Sequence, residues 1–291
     1  MKRGYADTPE GQLHYYEEGS GEPLLLFHAT GSSRSLMKLA PLLSKEYRVL
    51  AIDSLGEGNS DPLPPGAGIR DLARSYVHFM DALGLEKAHV FGLHTGNKVG
   101  TELGAEWPSR IDGLILCGQT HSIQVEHKDL VAVMGARDRP MTKEFEAAPD
   151  GSHLVREWAT QFNYISSLWW GSYHDALQGF APEVLQHRKD RVLDVLQLRG
   201  MKEKYRAIFA YDLGSRMRDI KVKKTLVVEL RVPGEAHLAP QGTRIVERIP
   251  NSRLATIEHS GPGRSYETQA GKLAEAILGF LKEVRAARTT A

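Results

Sequence analysis

The segment His89-Val90-Phe91-Gly92-Leu93-His94-Thr95-Gly96 joins a strand to a helix with almost no residues between them. Lys87 to Leu93 is a short apolar run of the kind that forms a buried strand, and Asn97 to Glu106 has the make-up of a helix. The chain must therefore turn from strand to helix within a few residues. Glycines two places before and two places after His94 let the backbones crowd at that turn. So sharp a turn presents one side chain, His94, above the sheet at a helix N-terminus, where N–H groups stabilise negative charge.

Outward from this turn, short apolar runs alternate with longer helical stretches, the pattern of a parallel α/β sheet. Leu24 to Phe27 reads as a buried strand after the turn residues Gly19-Ser20-Gly21. A helix around Ser35 to Ser44 and a strand from Tyr47 to Ile52 follow. Asp53 to Gly68, rich in Gly, Pro, Ser and Asp, is a loop. Leu72, Tyr76, Phe79, Met80 and Leu83 recur at helical spacing within Ile69 to Leu83, and Ile111 to Cys117 is a further strand. The rhythm then stops. Between about His121 and Ser215 there are only helical segments and loops, with Trp158, Trp169 and Trp170 among them. It returns with a strand at Lys224 to Leu230, a helix near Gln241 to Arg248, a strand at Leu254 to Ile257 and a closing helix from about Thr268 to Arg285. The expected organisation is a core made of residues 1–120 and 216–291, with 121–215 inserted as a helical cap over the carboxyl edge of the sheet.

Composition narrows the function. With 41% hydrophobic and 25% charged residues among 291, the chain can bury a sizeable core. Thirty-seven Lys plus Arg against 36 Asp plus Glu leave a net charge of +1, which speaks against nucleic acid as a partner. A lone cysteine, Cys117, forms no intramolecular disulfide. The start Met1 to Asp7 has no apolar stretch behind it, and no run approaches a membrane span, so no signal peptide, no membrane and a cytoplasmic location are expected. The 12 histidines show no His-x-x-x-His or His-Glu-x-x-His spacing, so neither a metal nor another cofactor is expected. Gly56 and Gly58 lack the Lys-Ser/Thr that would complete a phosphate loop.

Four segments in order, His28 to Gly31, Asp53 to Pro62, Gly92 to Gly96 and Ile249 to Leu254, resemble those of the α/β-hydrolase superfamily in its capped, single-domain form. The resemblance covers roughly Gly11 to Val284. It implies an α/β fold: a mostly parallel, eight-stranded type of sheet, with helices on both faces and a helical cap insertion. It also makes the Gly92-to-Gly96 turn the nucleophile elbow, where the family carries Ser, Cys or Asp and this chain carries His94. Relatives often place a catalytic Asp about eight residues beyond the position of Thr225; counting lands on Pro233, flanked by Glu229 and Glu235. Where relatives read Gly-x-Gly-His, the run Glu258-His259-Ser260-Gly261-Pro262-Gly263 puts Pro262 at the histidine position, with His259 three residues early. No Ser-His-Asp triad carries over.

His94 is then a general base, a ligand contact or a relic filling the place of a lost nucleophile. A neutral imidazole suits the first role, since an unperturbed pKa of about 6.5 leaves it mostly unprotonated at pH 7. The resemblance makes the Thr95 N–H and the Ala29-Thr30 turn an oxyanion-binding pair. His259 and Glu235 are candidate partners for His94, and Glu229 is a further candidate acid. His28 either orders the loop or contacts substrate, and Trp169 and Trp170 either line an apolar pocket or pack the cap. The expected function is cofactor-independent hydrolysis of a small apolar ester, thioester or lactone, or related lyase chemistry, with His94 as general base. The rival is a catalytically silent receptor or regulator that holds a small apolar molecule in the capped pocket. Either would be a monomer or homodimer.

Overall fold

In a computed structural model of the chain, residues 1–118, 148–156, 158–159, 201–231, 240–258 and 269–289 are described. Their eight strands form one sheet in the order β1-β2-β4-β3-β5-β6-β7-β8. The strands are β1 Lys2–Thr8, β2 Gly11–Glu18, β3 Pro23–Phe27, β4 Arg48–Ile52, β5 Ala88–Leu93, β6 Ile111–Cys117, β7 Thr225–Arg231 and β8 Ser252–Glu258. Every pairing from β4 to β8 is parallel, whereas β2 runs antiparallel to both β1 and β4.

The unbroken apolar runs of the inner strands follow from burial on both faces. In β3, Leu25 and Phe27 join one core layer while Leu24 and Leu26 join the other, as the two-residue side-chain period requires. The first layer packs under α2 (Ile69–Ala82) and α3 (Thr95–Glu106). The second packs under α1 (Ala40–Leu43) and the closing helix α6 (Ala270–Thr289). In α2, Leu72, Tyr76, Phe79 and Met80 are all buried, and Asp71 closes the first turn by accepting the Gly68 N–H at 2.8 Å.

Two local readings change. The helix expected from Ser35 to Ser44 is a 3-10 turn at Ser33–Leu36 followed by α1. Pro41 sits at the start of α1, where its missing N–H costs nothing; one turn into a continuous helix it would break the ladder. The hairpin β1–β2 was not expected at all. β1 is an edge strand that buries only Ala6, so it lacks the apolar run by which the inner strands are read.

β6 and β7 are sheet neighbours although residues 118–224 lie between them in sequence. The described end of that stretch returns to the core. Helix α4 (Met201–Ala210) buries Ile208, and Leu213, Met217, Ile220 and Val222 follow it into the same layer as α3. Buried polar groups stitch this return. Lys98 on α3 donates to the Ile208 carbonyl at 2.7 Å, while Glu102 accepts from Tyr211 Oη at 2.9 Å and from Arg216 Nε at 3.0 Å. A short α5 (Gly242–Val246) precedes β8.

Candidate active site

β5 ends at Leu93 and α3 begins at Thr95, so His94 alone makes the turn. Its φ of +48° and ψ of −99° lie where a residue with a Cβ is strained, at a cost on the order of 1–3 kcal/mol. The surroundings hold it there. The His94 N–H donates to the Cys117 carbonyl at 3.0 Å, and the His94 carbonyl accepts the Asn97 N–H at 3.1 Å. Both flanking glycines are obligatory. A Cβ on Gly92 would stand 2.2 Å from the Gly96 carbonyl oxygen, and one on Gly96 would stand 2.4 Å from that of Phe27. The half-buried imidazole lies against Gly118, whose own added Cβ would meet His94 Nδ1 at 2.7 Å.

The loop after β3 meets this turn. The Gly96 N–H donates to the His28 carbonyl at 3.2 Å, and Asn97 and Lys98 use the His94 carbonyl. As the first residue of α3, Thr95 has an N–H with no intrahelical acceptor. Thr30 Oγ1 lies 3.2 Å from Thr95 Oγ1, which brings the Ala29-Thr30 turn beside that N–H. Of the three residues expected to form an oxyanion pair, Thr30 and Thr95 thus meet through their hydroxyls beside His94.

His28 is buried, and its ring is fully engaged. Nδ1 bonds the Ala29 carbonyl and must carry the proton, while Nε2 accepts the Ser54 N–H at 3.1 Å. Burial pushes its pKa below the ordinary histidine value, against the pull of Glu57. A neutral ring with both nitrogens used orders the loop; it offers no polar atom to a substrate. Of the two roles expected for His28, loop ordering fits this geometry.

Beneath the loop lie charged groups that no local pattern of residues marks. Asp53 accepts from Ser33 N at 2.7 Å, Ser33 Oγ at 2.6 Å, His14 Nδ1 at 2.8 Å and Asn59 N at 3.0 Å. Burial opposes its charge, but the hydrogen bonds from His14, Ser33 and the Asn59 backbone win and hold its pKa at about 2. Glu57 accepts the Gly31 N–H at 2.8 Å through Oε1 and pairs with Lys204 of α4 through Oε2. Burial drags the Lys204 ammonium below its ordinary value while Glu57 opposes the shift. His14, Glu57 and Lys204 come from three distant parts of the chain. A carboxylate at 57 amid small loop residues was the one available signal.

Glu229 is spent on structure. Its Oε1 accepts the N–H groups of Gln241 and Gly242 before α5, and its Oε2 accepts Arg231 Nε at 2.9 Å. A carboxylate so occupied caps a helix and does not orient His94. His259, Glu235, Trp169 and Trp170 lie outside the described residues. Among the described residues no group of three His, Cys, Asp or Glu side chains could hold a metal, and no helix is long and apolar enough to cross a membrane.

The alpha/beta hydrolase fold family model matches residues 22–191. The chain belongs to that family. This hydrolase is 33% identical over 286 residues to the 2-hydroxy-6-oxo-6-phenylhexa-2,4-dienoate hydrolase of Comamonas testosteroni, covering 95% of this chain and 93% of the relative. It is also 33% identical over 293 residues to a 2-hydroxy-6-oxononadienedioate/2-hydroxy-6-oxononatrienedioate hydrolase of Pseudomonas putida, covering 93% and 92% of the two chains. Among solved structures, the enol-lactonase of Burkholderia xenovorans LB400 superposes with a TM-score of 0.68 at 21% identity, over 96% of this hydrolase and 100% of that chain. That last likeness shows the shared fold.

Proposed function

We propose that this hydrolase uses His94 as a general base on water, in place of an attacking elbow side chain, and hydrolyses a small, largely apolar carbonyl compound. One observation carries this: a strained, half-buried imidazole stands at the strand-to-helix turn beside the Thr95 N–H and the Ala29-Thr30 turn. A neutral imidazole nitrogen takes a proton from water as its oxygen bonds to the carbonyl carbon. The negative charge gathers on the carbonyl oxygen, toward the Thr95 and Thr30 backbone. Collapse of that intermediate re-forms the carbonyl and expels the leaving group, which takes the proton back from the imidazolium.

Esters, thioesters and lactones fit this sequence of steps directly. The named relatives extend the class. A 2-hydroxy-6-oxo-dienoate has no ester bond, so its hydrolysis must break the carbon–carbon bond beside the 6-oxo group. The same base and oxyanion donors serve that cleavage: water adds at the ketone, and the departing carbon receives the proton. Lyase chemistry through an enolate uses the same groups. In this proposal residues 121–215 form the cap, Trp169 and Trp170 give the pocket apolar walls, and His259 and Glu235 are candidates to orient His94.

The test is a substrate panel of p-nitrophenyl esters, thioesters, lactones and a 2-hydroxy-6-oxo-dienoate, run on the wild type, His94→Ala and His94→Ser. Turnover by the wild type that falls about 10²–10⁴-fold in kcat in His94→Ala, with KM little changed, is expected. A wild type inert on the whole panel, with esterase activity appearing in His94→Ser, overturns the general-base role and leaves the silent-receptor reading.

A further inference from the structure

We propose that the buried Glu57–Lys204 pair is a positioning device: it ties helix α4, on which the chain returns from residues 119–200, to the loop that offers oxyanion donors. The inference rests on the reading of the Ala29-Thr30 turn as such a donor. Glu57 is wholly buried, and its two oxygens have different duties. Oε1 holds the Gly31 N–H at 2.8 Å, one residue beyond Thr30, and Oε2 holds the Lys204 ammonium, itself almost wholly buried. Gly31 has a φ of +129°, a conformation open to glycine and avoided by residues with side chains, so the loop turns here on a flexible residue whose N–H is fixed by Glu57. Among its external holds, the Glu57 carboxylate bonds Gly31 itself, with the Gly96 N–H on the His28 carbonyl and Thr95 on Thr30 before it and Asp53 on Ser33 after it.

The charge balance gives Lys204 its function. The His28 ring, 3.8 Å from Glu57 Oε2, is neutral with both nitrogens already used, so it does not offset the carboxylate. Without Lys204, a buried negative charge would sit behind a loop meant to receive developing negative charge. It would also seek a proton or water by leaving the Gly31 N–H. Lys204 therefore neutralises Glu57 where it lies, and the carboxylate can then fix the loop. Because Lys204 is on α4, the position of that helix is coupled to the donor loop through this ion pair.

The experiment uses Lys204→Met, the double variant Lys204→Met/Glu57→Gln and Lys204→Arg in the full-length protein, with two readouts. The first is amide hydrogen exchange of the peptide spanning 28–34, compared with a peptide in β5. The second is the split of kcat from KM on a substrate the wild type turns over. Lys204→Met is expected to speed exchange at 28–34 by at least about tenfold while β5 stays protected, and to lower kcat about 10–100-fold with little change in KM. The double variant removes the orphaned charge yet keeps an acceptor for Gly31, so most of both losses should return. Unchanged exchange at 28–34 in Lys204→Met overturns the proposal. So does a double variant no better than the single one, or loosened exchange with unaltered kcat. Should Lys204→Met fail to fold, the double variant and Lys204→Arg decide by the same readouts. If the wild type has no turnover on the panel, the general-base reading fails on that result, and hydrogen exchange alone judges the tether.

Discussion

Gly118→Ala, alone and combined with His94→Ser, tests where the imidazole lies. A Cβ on Gly118 would come within 2.7 Å of His94 Nδ1, 2.8 Å of Cε1 and 3.1 Å of Cγ, so it would press into the ring itself. Two costs add. Gly118 has a φ of +89°, and a side chain there costs roughly 1–2 kcal/mol whatever stands nearby. The clash adds about 1–3 kcal/mol, the usual cost of overpacking. A total loss of about 2–5 kcal/mol is expected in urea unfolding followed by tryptophan fluorescence. In the His94→Ser background the ring is absent, and only the backbone cost should remain. The double-mutant cycle should therefore show a coupling of about 1–3 kcal/mol between positions 94 and 118. Additive losses, with Gly118→Ala equally damaging in both backgrounds, would refute the placement of the imidazole over Gly118. The same displaced ring should lower kcat more than it alters KM, because a general base acts only from hydrogen-bond range.

Two further predictions concern pH. Asp53 has its pKa lowered from 3.8 to about 2 in the folded chain, so its contribution is whole above pH 4 and is lost as pH falls through 2. The difference corresponds to about 2 kcal/mol; acid titration of stability should show this loss in the wild type and not in Asp53→Asn. Lys98 behaves in the opposite way: burial pulls its pKa from 10.5 to about 7, so the unfolded chain holds a proton that the folded one releases between those values. Stability attributable to this group should rise from pH 7 toward pH 10, by several kcal/mol in order of magnitude, and Lys98→Met should flatten that slope.

The parts of the fold that were legible are those that burial writes into local sequence. Leu24 to Phe27 and Ile111 to Cys117 are apolar throughout because helices cover both faces of the sheet, and their observed limits agree with the expected ones to within a residue. The turn at His94 was legible because only glycine tolerates backbones as close as those at positions 92 and 96. β1 was not, since an edge strand that buries Ala6 alone has no apolar pattern to announce it. At the candidate site, the loop after β3 meets the start of α3 through the Thr30 and Thr95 hydroxyls, a contact that the order of the strands brings about. The buried charges beneath them were not foreseen. His14 and Asp53 are 39 residues apart and Glu57 and Lys204 are 147 apart, and no local spacing marks a pair that the fold alone brings together. Glu229 shows the converse: a plausible acid by position, it proves to be absorbed by two backbone N–H groups and Arg231.

If His94 acts as a base on water, an external base should replace it in part. The most direct measurement is chemical rescue: turnover of His94→Ala on a substrate accepted by the wild type, with and without added imidazole. The variant is expected to bind the substrate with a nearly unchanged KM, to lose about 10²–10⁴-fold in kcat, and to regain part of that loss in proportion to the imidazole present. His94→Ala turning over as fast as the wild type, or staying dead at every imidazole concentration while its fold and substrate binding are intact, would contradict the base role of His94.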